Sequence, residues 1–265
     1  DHPNHWFRRF LESDADIYNQ TYTIDDNPFL DPLFVSNLKR EYAGTVYYGR
    51  FINGLWVAAE GAIYRNFVDN PARYIIDPEL TYMESPKHYD IRRAVIGVDF
   101  GGGTSAHSFT CTGFTKDGAI IVLDDYHEKE ALTPEKLNRD FVDFAKRCRM
   151  RWLVTDVYCD SAEQTLINGM RTEAAKAHLP MNIGNAKKRK INDRIYALCA
   201  LMGVDKFKIA RNCQATIEAL QSAVWNSKNL TEDERLDNGT TNIDSLDSLE
   251  YTYEREIEDL VSRWH

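Results

Sequence analysis

The chain has 265 residues, 43% of them hydrophobic, and a formal charge of −9 at neutral pH. That length and apolar content suit one large domain, or one domain with an appendage. The acidic total excludes a uniformly basic, histone-like nucleic-acid binder but allows a local basic groove, because binding follows the distribution of charge.

No apolar stretch is long enough for a membrane span, so no membrane partner is expected. The five cysteines (Cys111, Cys148, Cys159, Cys199 and Cys213) form no C-x-x-C pair. They read as reduced thiols of a cytosolic protein, with neither a disulfide framework nor a zinc site. The chain opens on Asp1 with no signal-peptide pattern and reads as a piece of a longer or processed protein.

In chain order, HPNHWFRRFL predicts a short helix, and IDDNPFLDP is turn chemistry. Pro32 suits the first turn of a helix through FVSNLKREY, and TVYYGRFINGLW continues at helical spacing. Residues 1–68 form a mostly helical segment. Residues 69–92, with three prolines, read as a connector. From 93 the pattern changes to strands. RRAVIGVDF is nearly continuous in apolar residues, as a central buried strand is. HSFTCTGFT alternates with period two, and TKDG turns the chain into AIIVLDDY. A helix over TPEKLNRDFVDFAKRCR leads to the strand RWLVTDVYCD. A helix over SAEQTLINGMRTEAAKA, capped by Ser161, leads to the strand PMNIGNA. INDRIYALCALMG is a helix ended by Gly203, KFKIA a strand, ATIEALQSAVW a helix, and SLDSLEYTYEREIEDL a closing helix. Such an order gives an α/β fold, a mixed central sheet with helices on its faces.

The chemical signal is where acids fall. Asp99 ends the first strand, and three glycines follow it. Asp160 ends the strand after the first long helix. Asp244 and Asp247, three residues apart, share a face near the start of the last helix. Ligands of open α/β sheets gather beyond the carboxyl ends of strands. Carboxylates placed together there repel one another and lose hydration, and divalent cations offset both costs. An all-oxygen set suits Mg²⁺ or Mn²⁺, and two such ions about 3.5–4 Å apart serve in-line phosphodiester hydrolysis. The glycines would let the backbone turn sharply and a phosphate backbone come close. Any one of these acids alone reads as a loop cap. Asp124 and Asp125 receive that structural reading, Asp156 inside its strand reads as pairing with a buried partner, and the functional reading rests on three acids in order.

IGVDFGGGTS, YCDSAEQTLINGM and IDSLDSLEY resemble the three acidic motifs of the nuclease domain of tailed-phage terminase large subunits, members of the RNase H-like or RuvC-like nucleases. HPNHWFRRFL, DNPFLDPLFVSNLKREY and YYGRFINGLWVAAEGAIYRNF are similar to the stretch leading from that family's packaging ATPase into the nuclease. The third motif departs mildly: Asp244 stands where many members have His, while Asp247 and Tyr251 match. The resemblance implies an RNase H-like nuclease domain over residues 93–265, preceded by the remnant of the ATPase region over 1–68 and a linker over 69–92. It implies a metal-dependent endonuclease that cuts concatemeric viral DNA during genome packaging. Asp99, Asp160 and Asp247 would be catalytic ligands of two Mg²⁺ or Mn²⁺ ions, and Asp244 a fourth ligand. Double-stranded DNA, a portal protein and a small terminase subunit would be its partners, in host cytoplasm and at the procapsid. The sequence holds no GxxxxGK[ST] phosphate loop, so no ATP hydrolysis is expected from it.

KKRKINDR (187–194) is the densest basic run, and Lys187, Lys188 and Lys190 are candidates for holding the DNA backbone. A solvated helix start is the competing reading of that run. A second cluster, Lys146, Arg147, Arg149 and Arg151, is expected to face water. Aromatics between Trp6 and Phe67 read as packing. Three other functions fit parts of the pattern: an actin-like or sugar-kinase-like ATPase using DFGGGTS, which lacks the second phosphate loop such folds need; a non-catalytic docking module; and a RuvC-like resolvase, against which the ATPase-like N-terminal segment argues.

Overall fold

A computed structural model describes residues 6–14, 16–57, 60–102, 105–229, 232–239 and 241–262. The start of HPNHWFRRFL, and Gly103 and Thr104 of the glycine run, lie outside them.

Seven strands form one sheet in the order β1-β7-β4-β3-β2-β5-β6. They are β1 (Ile75–Ile76), β2 (Ile91–Asp99), β3 (His107–Thr115), β4 (Ile120–Glu128), β5 (Val154–Cys159), β6 (Asn182–Asn185) and β7 (Phe207–Ala210). Strand β3 runs antiparallel to both neighbours, and the remaining pairs are parallel. The row β4-β3-β2-β5-β6 is the RNase H-like core. Its three-stranded meander needs only short connections, whereas each parallel pairing beyond it needs a crossover. The helices α4 (Pro134–Arg149) and α5 (Gln164–Lys176) supply crossovers on one side of the sheet.

The faces separate by the period-two alternation of β2. Ala94, Ile96 and Val98 join a core with Phe141, Phe144 and Ile167 of α4 and α5. Val95 joins a core on the opposite face with α6 (Ile191–Gly203), α7 (Gln214–Ser222) and α8 (Ile243–Tyr253), contributed by residues such as Leu198, Leu220, Leu246 and Leu249. Helix α4 follows its sequence signals closely: Thr133 Oγ1 accepts from the Lys136 N–H at 3.3 Å, and Pro134 opens the first turn.

Residues before β2 are tied into this body. Helix α1 spans Trp6–Leu11 and α2 spans Pro32–Tyr42, capped by Asp31, whose Oδ1 accepts from Leu33 and Phe34. Tyr42, Tyr47 and Ile52 pack with Tyr196 of α6. Helix α3 (Arg65–Asp69) places Phe67 in the α6–α8 core.

Four local readings change. Residues 48–52 form one wide helical turn, not a regular helix. The proline-rich 69–92 segment contributes β1, which extends the sheet beside β7. The closing helix breaks after Tyr253, and α9 (Ile257–Ser262) continues separately. Helix α5 starts at Gln164 with no side-chain cap, so Ser161 does not cap it. Asp160 takes up the exposed backbone there instead, its Oδ1 accepting from the Ala162 N–H at 2.8 Å.

Candidate active site

Strand β2 aims Asp99. The residue lies two positions beyond Gly97, hence on the same face, toward α8. Gly97 is what brings that helix close: a Cβ there would meet the Ser248 carbonyl oxygen at 1.8 Å. Around it the interface between α8 and the sheet is built of small hydroxyl residues. Ser248 Oγ lies 3.0 Å from Ser108 Oγ and 2.7 Å from Thr110 Oγ1, and Thr252 donates to Thr112 at 2.9 Å. These side chains are buried and pair with one another, so the polar seam is satisfied without water.

Strand β5 runs parallel to β2 with Val98 opposite Cys159, and the Asp160 N–H donates to the Val98 carbonyl at 2.9 Å. Asp160 therefore emerges beside Asp99 on the adjacent strand. Helix α8 begins over the ends of β2 and β3, and Asp244 Oδ2 accepts from the Ala106 N–H at 3.0 Å. Asp247 follows one turn later.

The four aspartates interact. Asp99 is 8% exposed. Burial, then the charges of Asp247, Asp244 and Asp160, push its carboxyl up to about 9, with Lys188 opposing them. The other three acids have protein partners. Asp160 Oδ1 meets Lys188 Nζ at 2.5 Å. Asp247 Oδ1 receives Arg235 at 2.7 Å and Arg194 at 3.5 Å. Among the described residues, no three His, Cys, Asp or Glu side chains stand close enough together to hold one ion.

The charged group beneath Asp247 was not legible as part of a site. Glu250 is 0% exposed and meets Arg235 at 2.7 Å and Arg194 at 3.0 Å. Two arginines thus face two carboxylates, and the group is formally neutral. Burial pushes the Glu250 carboxyl up to about 7 against the pull of both arginines. Arg194 sits off the hydrogen-bond direction to Glu250 Oε2, which is ion-paired but accepts no hydrogen bond. The only sequence hint was an acid one turn beyond Asp247.

Two histidines also border the corner. The Gly101 N–H donates to His107 Nδ1 at 3.1 Å, which leaves the ring proton on Nε2. His127 Nδ1 lies 3.2 Å from Ser245 Oγ. Burial lowers the pKa of both rings. The glycine run has a packing role at its start: a Cβ on Gly101 would meet Ser105 and Ala106 backbone at 2.4 Å, whereas one on Gly102 would meet nothing.

Lys187, Lys188 and Lys190 are exposed at the entrance to α6. The second basic cluster is largely engaged elsewhere. Arg147 pairs with Asp124 at 2.6 Å, Arg149 donates to the Val154 and Pro180 carbonyls, and Arg151 lies over the Tyr82 ring. Asp125 accepts from the Thr216 N–H and hydroxyl, and Asp156 from Thr155 and Asn182. These acids are thus held by hydrogen bonds within the fold. The cysteines are free and buried, and no described helix is long and apolar enough to cross a membrane.

No family model and no curated protein matches the sequence. Solved structures do. The large terminase of a thermophilic bacteriophage, in complex with ADP, superposes with a TM-score of 0.75 at 22% identity, over 94% of this chain and 59% of that one. The P22 large terminase nuclease domain superposes with a TM-score of 0.53 at 15% identity, over 76% of this chain and 98% of that one. The chain thus spans about 59% of the length of the thermophilic phage's protein while containing the counterpart of nearly all of the P22 domain. It has the RNase H-like fold of bacteriophage large terminases.

Proposed function

We propose that this chain is the endonuclease part of a phage genome-packaging terminase, cutting double-stranded DNA with two divalent cations held by Asp99, Asp160, Asp244 and Asp247. The observation that carries this reading is Asp99, a buried strand-end carboxyl whose ionisation is opposed by three neighbouring aspartates. The donor set suits Mg²⁺ or Mn²⁺: it is all carboxylate oxygen, and burial together with the three neighbouring aspartates opposes the ionisation of Asp99, a cost that a cation would offset. Bound there, the ions supply Lewis acidity for phosphodiester hydrolysis.

The chain's own groups do the remaining work. Asp160, paired with Lys188 in this structure, would release it to hold a cation. Arg235 and Arg194 hold Asp247 by Oδ1, and a cation would take Oδ2. Lys187, Lys188 and Lys190 neutralise the DNA backbone, a contact without base preference. Residues 93–265 would form the nuclease, 69–92 the link and 1–68 the end of the motor region. The portal protein and small terminase subunit would be partners at the procapsid, and ATP hydrolysis would belong to a phosphate loop outside this sequence.

The test is plasmid DNA with Mn²⁺ or Mg²⁺. The chain should nick or degrade it, a chelator should stop the reaction, and Asp99→Asn should remove it with the fold retained. Cutting by Asp99→Asn at the wild-type rate would sink the assignment. No cutting at all by a folded wild-type chain would favour a docking module.

A further inference from the structure

The basic run 187–190 is held by one buried carboxylate. Glu254 is 0% exposed. Its Oε1 accepts from the Lys187 and Lys188 N–H groups, the latter at 3.1 Å, and its Oε2 accepts from the Arg189 N–H at 2.9 Å. Three successive backbone donors converge on one side chain, and the chain bends around it with Lys188 at φ 52°. A left-handed conformation is costly for lysine and persists only when its surroundings enforce it. Here the charge-assisted bonds to Glu254 do so. Arg189 adds a clamp, reaching Glu258 of α9 at 2.7 Å.

Glu254 is also the residue that ends α8, its N–H donating to the Glu250 carbonyl at 3.0 Å. It lies seven residues beyond Asp247, on the same side of the helix and about 10 Å along its axis. The helix that carries two of the acids therefore also sets the backbone of the basic run. The product of this arrangement is visible in Lys188, whose amino group reaches Asp160.

We propose that Glu254 is a positioning residue for DNA: it fixes the Lys187–Lys190 segment in register with the aspartate corner, so that the backbone contacts and the cutting site move as one body. This rests on the reading of that corner as a nuclease site.

The test is a double-mutant cycle on DNA affinity, measured with a radiolabelled duplex in Ca²⁺ or chelator across a salt series. Lys188→Gly keeps the left-handed backbone natural and removes the amino group. Glu254→Gln keeps the size and removes the charge that gathers the three N–H groups. Each should weaken binding, Glu254→Gln by roughly tenfold, the scale of losing charge-assisted hydrogen bonds. The double variant should be little weaker than Glu254→Gln alone, because the two act through one segment. Amide hydrogen exchange should rise at residues 187–189 in Glu254→Gln. If that variant does not fold, Glu254→Asp, which retains the charge but draws it back by one methylene, carries the same cycle. Wild-type affinity in Glu254→Gln, or losses that simply add, would overturn the role of Glu254 alone. Affinity unchanged by Lys188→Gly and by Lys187→Glu with Lys190→Glu would overturn the DNA reading of the segment, and this proposal with it.

Discussion

The middle of α8 and the corner at its first turn both hold buried acid, with opposite surroundings. Glu250 and Asp247 face Arg194 and Arg235, and the four charges cancel. Asp99 faces Asp247, Asp244 and Asp160, with Lys188 the cation that opposes them. A buried carboxylate with cationic partners holds parts of a fold together, and removing one partner leaves an uncompensated charge. A buried carboxylate among its own kind costs stability, and a protein keeps such a cost where a ligand or a reaction uses it. On the proposed function, the contrast divides the helix into a structural middle and a functional end.

The largest effect expected is at the functional end, where Asp99→Asn should take metal-dependent cutting below detection. Residual cutting at a substantial rate would erase the contrast. In the middle, Arg235→Ala should destabilise the fold by about 3–5 kcal/mol in urea unfolding. Glu250→Gln should cost about 3 kcal/mol, since it leaves two buried guanidinium groups to share the carboxylate of Asp247. If either is neutral, the ion group is not what anchors α8.

Asp99→Asn should move stability the other way. Its native carboxyl keeps a proton up to about pH 9, whereas the unfolded chain releases it near pH 4. Between those values the native state binds more protons, so metal-free stability falls as pH rises through that window. The asparagine has no such slope. At pH 8 without metal it should unfold at a higher Tm than the wild type, and below pH 4 the two should unfold alike. An unchanged Tm at pH 8 would mean that Asp99 is relieved in some other way. The smallest effect expected is a rise in Tm of the wild type on adding millimolar Mn²⁺, absent in Asp99→Asn. An equal rise in both would place the ion elsewhere.

Much of the architecture was legible because local periodicity carries it. The central strands and the long helices fall where alternation and helical spacing place them, and Pro32 and Thr133 mark helix starts through their local chemistry. Ser161 misled because a hydroxyl before a helical run signals a cap only if the helix begins there; Asp160, one residue earlier, already binds the turn. β1 was hidden because two residues have no period. Its parallel pairing with β7 spans more than a hundred residues and depends on the whole sheet.

The order of the acids and their places at strand and helix ends are properties of the sequence alone. Alternation and helical spacing determine which side chains share a face. Which charge meets which acid was decided only by tertiary structure. Arg194 and Arg235 reach Asp247 from 53 and 12 residues away, and Glu254 gathers N–H groups 65 to 67 residues distant. No local pattern encodes such pairings, because they form when packing removes water and leaves each buried charge only the partners that folding has brought within reach.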